Sequence, residues 1–211
     1  MHHHHHHGGS GSPRSAKQFN EIRIQKKQLI METALELFSE NGFHATSMSQ
    51  IAKKAGISKG LAYNYFQSKN EILADILETS SNEIYENIDI NHDGILTEEE
   101  FYYFIKKTFQ LINSNRRFWK LYTSVILQTN ILDEKNKSMA EKLSPVFNLF
   151  RNFLISKGSK DPDGDLIVIS TLLKGASIIM ISTEFYSYEI LEEKIISAVQ
   201  RIILYNKETE K

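Results

Sequence analysis

The chain has 211 residues, of which 41% are hydrophobic and 24% are charged, and its formal net charge is −1. The absence of cysteine excludes disulfide bonds and thiolate chemistry and is compatible with a reducing cytoplasm. The continuous apolar runs fall well short of the roughly 20 residues that a membrane span needs, so we expect a cytoplasmic globular protein without a membrane partner.

The first 16 residues are predicted to be a histidine tag and a disordered N-terminus, because six histidines are followed by a Gly/Ser spacer. Beyond the tag the charge is unevenly spread. Residues 13–70 carry nine Lys/Arg against four acids, a net charge of +5, and the remainder of the chain carries −6. A basic head on an acidic body favours a polyanion that meets the head alone, although chance asymmetry on solvated helix faces remains an alternative.

Hydrophobic residues recur at helical spacing along the chain, which predicts an all-α fold. The first helix covers residues 21–40 and ends at Asn41-Gly42. A short helix capped by Ser47 or Ser49 runs to Ala55, and the next runs from Ser58 to about residue 66. The later helices are predicted at residues 69–87, 97–114, 117–131, 135–156, 165–186 and 190–206. We therefore expect a three-helix unit over 17–68, followed by a helical bundle over 69–211.

The second and third helices form the predicted helix-turn-helix. Gly56 tolerates the positive φ that a tight turn between two helices needs. The exposed face of the third helix then carries Lys59, Gly60, Asn64 and either Tyr63 or Tyr65. An asparagine can read an adenine edge, while lysines and hydroxyls hold phosphates.

The stretch GFHATSM at residues 42–48, followed by IAKKAGISKGLAYNYF at 51–66 and by Ser68-Lys69, resembles the signature of the tetracycline-repressor (TetR) family. The likeness covers residues 22–73. It implies phosphate contacts by Ser47, Ser58, Tyr63, Tyr65 and Lys69, and places Lys59, Gly60, Leu61 and Asn64 opposite bases. Many members carry His where this chain has Asn64.

The resemblance implies a transcriptional regulator, in most cases a repressor, that acts as a homodimer. It implies that residues 17–68 form a helix-turn-helix DNA-binding domain and that residues 69–211 form a helical effector-binding and dimerisation domain. Two recognition helices about 34–36 Å apart would read the two half-sites of a pseudo-palindromic operator. Family members dimerise through their last two helices, here predicted at residues 165–186 and 190–206. Both are apolar over more than a narrow stripe, which favours a partner surface; burial within one chain is the alternative.

An acidic loop at residues 89–100 has the spacing of a calcium-binding EF-hand loop. Oxygen ligands fall at positions 1, 3, 5, 7, 9 and 12, and Gly94 at position 6 permits the sharp turn. The six ligands are Asp89, Asn91, Asp93, the carbonyl of Ile95, Thr97 and Glu100. A bound cation would fix the chain direction between the linking helix and the body, and so influence the spacing of the DNA-binding heads.

Two alternatives to a calcium site stay open for this loop. Thr97 and Glu100 also form the T-x-x-E pattern of a helix capping box, and Asp93-Gly94 alone can make a turn. Capping does not explain Asp89, Asn91 or the seven acids between residues 83 and 100, whose repulsion a cation would relieve. The loop is accordingly predicted to hold Ca²⁺, with Mg²⁺ or no metal as alternatives.

The body is expected to bind an unidentified small effector. The candidate residues are Phe109, Phe118, Trp119, Tyr122, Gln128, Asn130, Met180 and Tyr186, each of which can equally be plain core. An enzyme is not expected, because no phosphate-binding glycine loop and no nucleophile–base pair is present. The remaining alternative is a calcium-binding interaction module with a degenerate helix-turn-helix.

Overall fold

The computed structural model describes residues 13–86, 88–89, 91–128, 133–182 and 185–209. The described residues form nine α-helices and no strand, so the predicted all-α class is confirmed. The helices are α1 (Pro13–Asn41), α2 (Met48–Ala55), α3 (Lys59–Tyr65), α4 (Lys69–Tyr85), α5 (Glu98–Ser114), α6 (Arg116–Ile126), α7 (Asp133–Ser156), α8 (Pro162–Ser182) and α9 (Tyr188–Thr209). The chain divides into two compact units, one ending at Leu73 and the other beginning at Ala74.

The first unit, called the head below, is built on α1. This helix begins at Pro13 rather than at residue 21, so residues 13–16 are helical and the prediction that they are disordered is wrong. Proline is a favourable first helical residue because its missing N–H would be unpaired there in any case, and no helix-breaking residue follows until Asn41-Gly42. Ile30, Ala34 and Phe38 are fully buried and form the core-facing stripe of α1.

The second unit, called the body below, contains α5 to α9 around one hydrophobic core. The aromatic residues of α5 and α7 interlock there, with the ring centroids of Phe101 and Phe153 4.7 Å apart and those of Phe104 and Phe150 5.3 Å apart. Several of the observed helix ends differ from the predictions, among them those of α6 and α8. α6 stops at Ile126 instead of residue 131, and α8 starts at Pro162 and stops at Ser182 instead of covering 165–186. Asp161 Oδ1 accepts a hydrogen bond from Gly164 N at 3.0 Å, which caps the earlier start.

Helix α8 is apolar over most of its length. It is long and apolar enough to cross a membrane by length and composition, and only 17% of its most apolar window is buried within the protein. The sequence prediction concerned uninterrupted apolar runs, whereas α8 reaches this length and composition with polar residues scattered through it. An apolar helix that its own chain leaves largely uncovered needs another apolar surface against it.

Burial of tyrosines in the body makes stability depend on alkaline pH. Burial, and secondarily the phenol of Tyr85, raises the pKa of Tyr122 from 10.0 to about 12. The folded state therefore favours the neutral phenol. The stability that this phenol contributes is fully present below about pH 10. It is lost as the pH rises from about 10 towards 12, because in this range the unfolded chain releases the proton and the folded protein keeps it.

We expect the thermal midpoint of unfolding to fall through this pH window, and to fall less steeply in Tyr122→Phe. Circular dichroism melts in steps between about pH 9 and pH 12 measure the effect. Tyr103→Phe, which changes a tyrosine that is 38% exposed, is the matched control. Parallel pH profiles for the wild type and Tyr122→Phe would contradict the assignment.

Candidate nucleic-acid interface and cation loop

The turn between α2 and α3 has the predicted helix-turn-helix geometry. Gly56 ends α2 at φ 72° and ψ 28°, the left-handed region that glycine adopts without strain. Ile57 N then donates to Ala52 O at 3.0 Å, which closes the turn. Ala52 and Ala62 are buried, 2% and 0% exposed, so the inner faces of the two short helices pack closely and the outer face of α3 is turned to solvent.

The outer face of α3 presents the side chains that were predicted to face bases. Lys59, Gly60, Tyr63 and Asn64 are exposed, whereas Leu61 is partly buried. A Cβ atom built at Gly60 would meet nothing within 4 Å. Packing within the chain therefore gives no reason for a glycine at this position, and a close approach of another molecule to the backbone would supply one.

Two of the predicted phosphate-binding serines also cap the short helices. Ser47 Oγ accepts from Gln50 N at 3.2 Å and Gln50 Oε1 accepts from Ser47 N at 2.9 Å, which makes a capping box. Ser58 Oγ accepts from Leu61 N at 3.1 Å. Because each hydroxyl acts here as an acceptor, its hydrogen can still donate to a phosphate oxygen at the helix N-terminus.

Two lysines of the head are committed to contacts within it. Lys69 Nζ donates to the carbonyls of Phe43 at 2.8 Å and His44 at 3.0 Å, so the predicted phosphate ligand also ties down the segment between α1 and α2. Lys54 Nζ lies 3.2 Å from Glu36 and 3.6 Å from Glu40. The formal charge of the head therefore overstates the charge that it offers to a polyanion.

Sequence reasoning missed two basic residues beside α3. The guanidinium carbon of Arg23 lies 6.0 Å from the ring centroid of Tyr65, and Lys27 Nζ lies 5.3 Å from that of Phe66. Both belong to α1, outside the helix-turn-helix pattern. The basic run at residues 23–27 was the available signal, but only the fold shows that it reaches the C-terminal end of α3.

The acidic loop folds around its first carboxylate. Gly94 N donates to Asp89 Oδ2 at 2.9 Å and Ile95 N donates to Asp93 Oδ1 at 2.9 Å. His92 and Gly94 have positive φ angles, 53° and 73°, so the backbone doubles back at both positions. Ile90 lies outside the described residues.

The first and last residues of the loop each have one buried carboxylate oxygen without a hydrogen-bond partner among the described residues. These oxygens are Asp89 Oδ1 and Glu100 Oε2. The capping box is also present, but it uses other atoms, since Thr97 N donates to Glu100 Oε1 at 3.2 Å. Capping therefore accounts for one oxygen of Glu100 and leaves the other unexplained.

Carboxylates and imidazoles alone do not form a metal site here. Among the described residues no three His, Asp or Glu side chains converge in a way that could hold a metal ion. A loop of the predicted type takes half of its six ligands from Asn, Thr and a backbone carbonyl, groups which lie outside that set. A cation site here would need all six ligands of the pattern. Asp89 and Glu100 supply its two buried oxygens.

The candidate effector residues lie in the core. Phe109, Trp119 and Met180 are 1%, 5% and 1% exposed, and Tyr122 and Phe118 pack against the same core. Gln128 is partly buried, Tyr186 is 54% exposed, and Asn130 lies outside the described residues. None of these lines the groove of about 270 Å³ between the end of α4 and α5. Its lining residues are Glu83, Ile84, Glu86, Lys107, Thr108, Gln110, Leu111 and Ser114.

Comparison with known proteins matches the head to one family. Residues 30–76 match the family model described as bacterial regulatory proteins, tetR family. An uncharacterized HTH-type transcriptional regulator of Bacillus subtilis strain 168, YuxN, is 49% identical over 53 residues, 25% of this chain and 18% of that protein. The fatty acid metabolism regulator protein of the same strain is 25% identical over 130 residues, 61% of this chain and 64% of that one. The chain thus matches less than two thirds of the length of either relative.

Solved structures extend the likeness to the whole fold. The fatty acid degradation regulator FadR from Bacillus halodurans superposes with a TM-score of 0.64 at 20% identity, covering 82% of this chain and 94% of that one. NalD, the secondary repressor of the MexAB-OprM multidrug efflux pump in Pseudomonas aeruginosa, gives 0.64 at 17% identity, covering 86% and 96%. At these identities the comparison establishes the architecture: an N-terminal helix-turn-helix followed by a C-terminal helical domain.

Proposed function

We propose that this chain, whose residues 30–76 match the tetR family model, is a sequence-specific transcriptional regulator that acts as a repressor in the cytoplasm. The observation that carries the proposal is the outer face of α3. Lys59 and Asn64 are exposed there, on a short helix whose opposite face is fixed by the buried Ala62. The face offers an amide that can pair with an adenine edge and an ammonium for a guanine or a phosphate.

The role of Asn64 is tested on the preferred duplex of the protein. Asn64→Ala is expected to weaken binding to that duplex by about 10- to 100-fold, because a bidentate base contact contributes about 1–3 kcal/mol of discrimination. Binding to unrelated duplexes should hardly change. Fluorescence anisotropy measures both, with Asn82→Ala in the body as the matched control. An equal loss on both duplexes would contradict base reading by Asn64.

We propose further that the regulator is a homodimer through α8 and α9. Ile167 and Ile178 on α8 and Leu204 on α9 are 67%, 50% and 56% exposed, an apolar surface that a lone chain leaves in water. At Gly175 on α8 a Cβ atom would meet nothing within 4 Å, so a partner helix can approach closely. A second copy also supplies the second recognition helix that a pseudo-palindrome requires.

A small effector is proposed to act through the body. The predicted contacts Phe109, Trp119 and Tyr122 do not line the groove between α4 and α5, and the groove is the site that we propose for the effector. The groove combines carboxylates, an amine and an apolar wall, the mixed lining of a small-molecule site.

The loop at residues 89–100 is proposed to hold Ca²⁺, and its side chains fit that ion. Two buried carboxylate oxygens without partners are costly unless something neutralises them. They belong to Asp89 and Glu100, positions 1 and 12 of the ligand pattern. Asn91, Asp93, Thr97 and the Ile95 carbonyl would complete a set of hard oxygen ligands, which suits Ca²⁺ better than Mg²⁺ because the set is large and flexible.

The cation is proposed to tune the regulator by linkage. α4 begins at Lys69, directly after the helix-turn-helix, and ends at Tyr85, just before the loop. A cation that fixes the loop would fix the chain direction between α4 and α5. If it favours one spacing of the two heads, then Ca²⁺ changes operator affinity, and operator changes Ca²⁺ affinity by the same factor.

A further inference from the structure

The head offers its positive charge unevenly. Lys54 is paired with Glu36 and Glu40, and the ammonium of Lys69 already donates to two carbonyls. Neither lysine is placed to give its full charge to a polyanion. The charge that meets DNA must come in larger part from other residues of the head.

Arg23 is placed to supply such charge. It is exposed on α1, and its guanidinium carbon lies 6.0 Å from the ring centroid of Tyr65, the last residue of α3. Tyr65 is partly buried, so the ring is held by the head while the guanidinium on it remains in solvent. The contact brings a positive charge from α1 to the C-terminal end of the recognition helix.

A guanidinium in cation–π contact with a ring can bind a phosphate at the same time. The 6.0 Å distance from the guanidinium carbon to the ring centroid lies at the outer range of a cation–π contact. Such a contact occupies none of the five N–H donors, so two of them can bind one phosphate in a bidentate pair. The ring also restricts the arginine rotamers in the unbound protein, which lowers the entropy lost on binding.

We infer that Arg23, positioned by the ring of Tyr65, binds a backbone phosphate of duplex DNA at the edge of the base pairs that α3 reads. This inference rests on the proposed function, and it adds α1 to the DNA interface. It also gives Tyr65 a different role from the one that the sequence resemblance implies. The aromatic ring positions Arg23, whereas a direct phosphate contact would use the hydroxyl.

The test is the salt dependence of binding to the preferred duplex, measured by fluorescence anisotropy with tag-free protein. Arg23→Ala is expected to weaken binding by about 10-fold and to reduce the slope of log K against log salt by about 0.9, the value for one phosphate contact. Arg23→Lys should keep the slope and lose part of the affinity, because a lysine keeps the charge but not the bidentate geometry. Tyr65→Phe should behave like the wild type, since it keeps the ring. Lys106→Ala removes one exposed positive charge from the body and should change neither value.

Each part of the inference has its own contrary result. An unchanged affinity and slope in Arg23→Ala, while Asn64→Ala weakens binding, would remove Arg23 from the interface and leave the proposed function standing. A Tyr65→Phe variant as weak as Arg23→Ala would show that the hydroxyl, rather than the ring, makes the contact. A wild-type protein with no salt-dependent duplex binding would overturn the proposed function itself.

Discussion

Replacing Glu100 by glutamine is expected to weaken Ca²⁺ binding by at least about 100-fold, because ligand charge and the bidentate carboxylate at position 12 set the affinity of such loops. Glutamine can also serve in a capping box. The substitution preserves the contact from Thr97 N to the side-chain oxygen of residue 100 and removes the charge and one of the two ligand oxygens. Calorimetric titration of Ca²⁺ into EDTA-treated, tag-free protein measures the difference.

Glu99→Gln is the matched control for this titration. Glu99 is exposed and adjacent, and it occupies position 11, which supplies no ligand. We expect near-normal Ca²⁺ binding in Glu99→Gln, and a thermal midpoint that rises with Ca²⁺ in the wild type but not in Glu100→Gln. Equal affinities for Ca²⁺ in the two variants would reduce the loop to a capped turn.

The same pair of variants tests the proposed linkage to DNA. Saturating Ca²⁺ should change the operator affinity of the wild type and of Glu99→Gln, and should leave Glu100→Gln unaffected. An operator affinity that is independent of Ca²⁺ in a protein that binds the ion would leave the loop as a structural site without a regulatory role.

Replacing Ile178 by glutamate is expected to convert the protein to a monomer and to lower its operator affinity by about 100-fold or more. Two-fold symmetry places the new charge in the interface twice, and a buried unpaired charge costs several kcal/mol. A monomer has one recognition helix and loses the second half-site. Light scattering after size-exclusion chromatography gives the mass, and anisotropy gives the affinity.

Ile155→Glu is the control for the dimer interface. Ile155 on α7 is 46% exposed and Ile178 on α8 is 50% exposed, so the same change is made at similar exposure outside the proposed interface. Ile155→Glu should remain dimeric and bind the operator normally. A dimeric Ile178→Glu with normal operator affinity would place the interface elsewhere.

Local sequence rules predicted much of the head. The turn at Gly56, the cap at Ser47 and the buried and exposed faces of α3 follow from positive φ, capping and helical periodicity, which act over a few neighbouring residues. The fold of the acidic loop could be predicted for the same reason, because the hydrogen bond from Gly94 N to Asp89 Oδ2 joins residues only five positions apart.

The sequence alone failed where partners lie far apart along the chain. Lys69 contacts carbonyls 25 and 26 residues away. Arg23 on α1 contacts Tyr65 on α3. No pattern of neighbouring residues in the sequence predicts either contact. The sequence predicted an apolar α8 beyond a narrow stripe, but periodicity does not say which molecule covers such a helix.

The most direct test of the central claim is selection of binding sites from a randomised duplex library with tag-free protein, followed by affinity measurements at several salt concentrations. We expect an enriched pseudo-palindrome with half-sites about 34–36 Å apart, bound more weakly as salt increases. A library without enrichment, and binding that does not depend on salt, would contradict the regulator and favour a calcium-binding module with a degenerate helix-turn-helix.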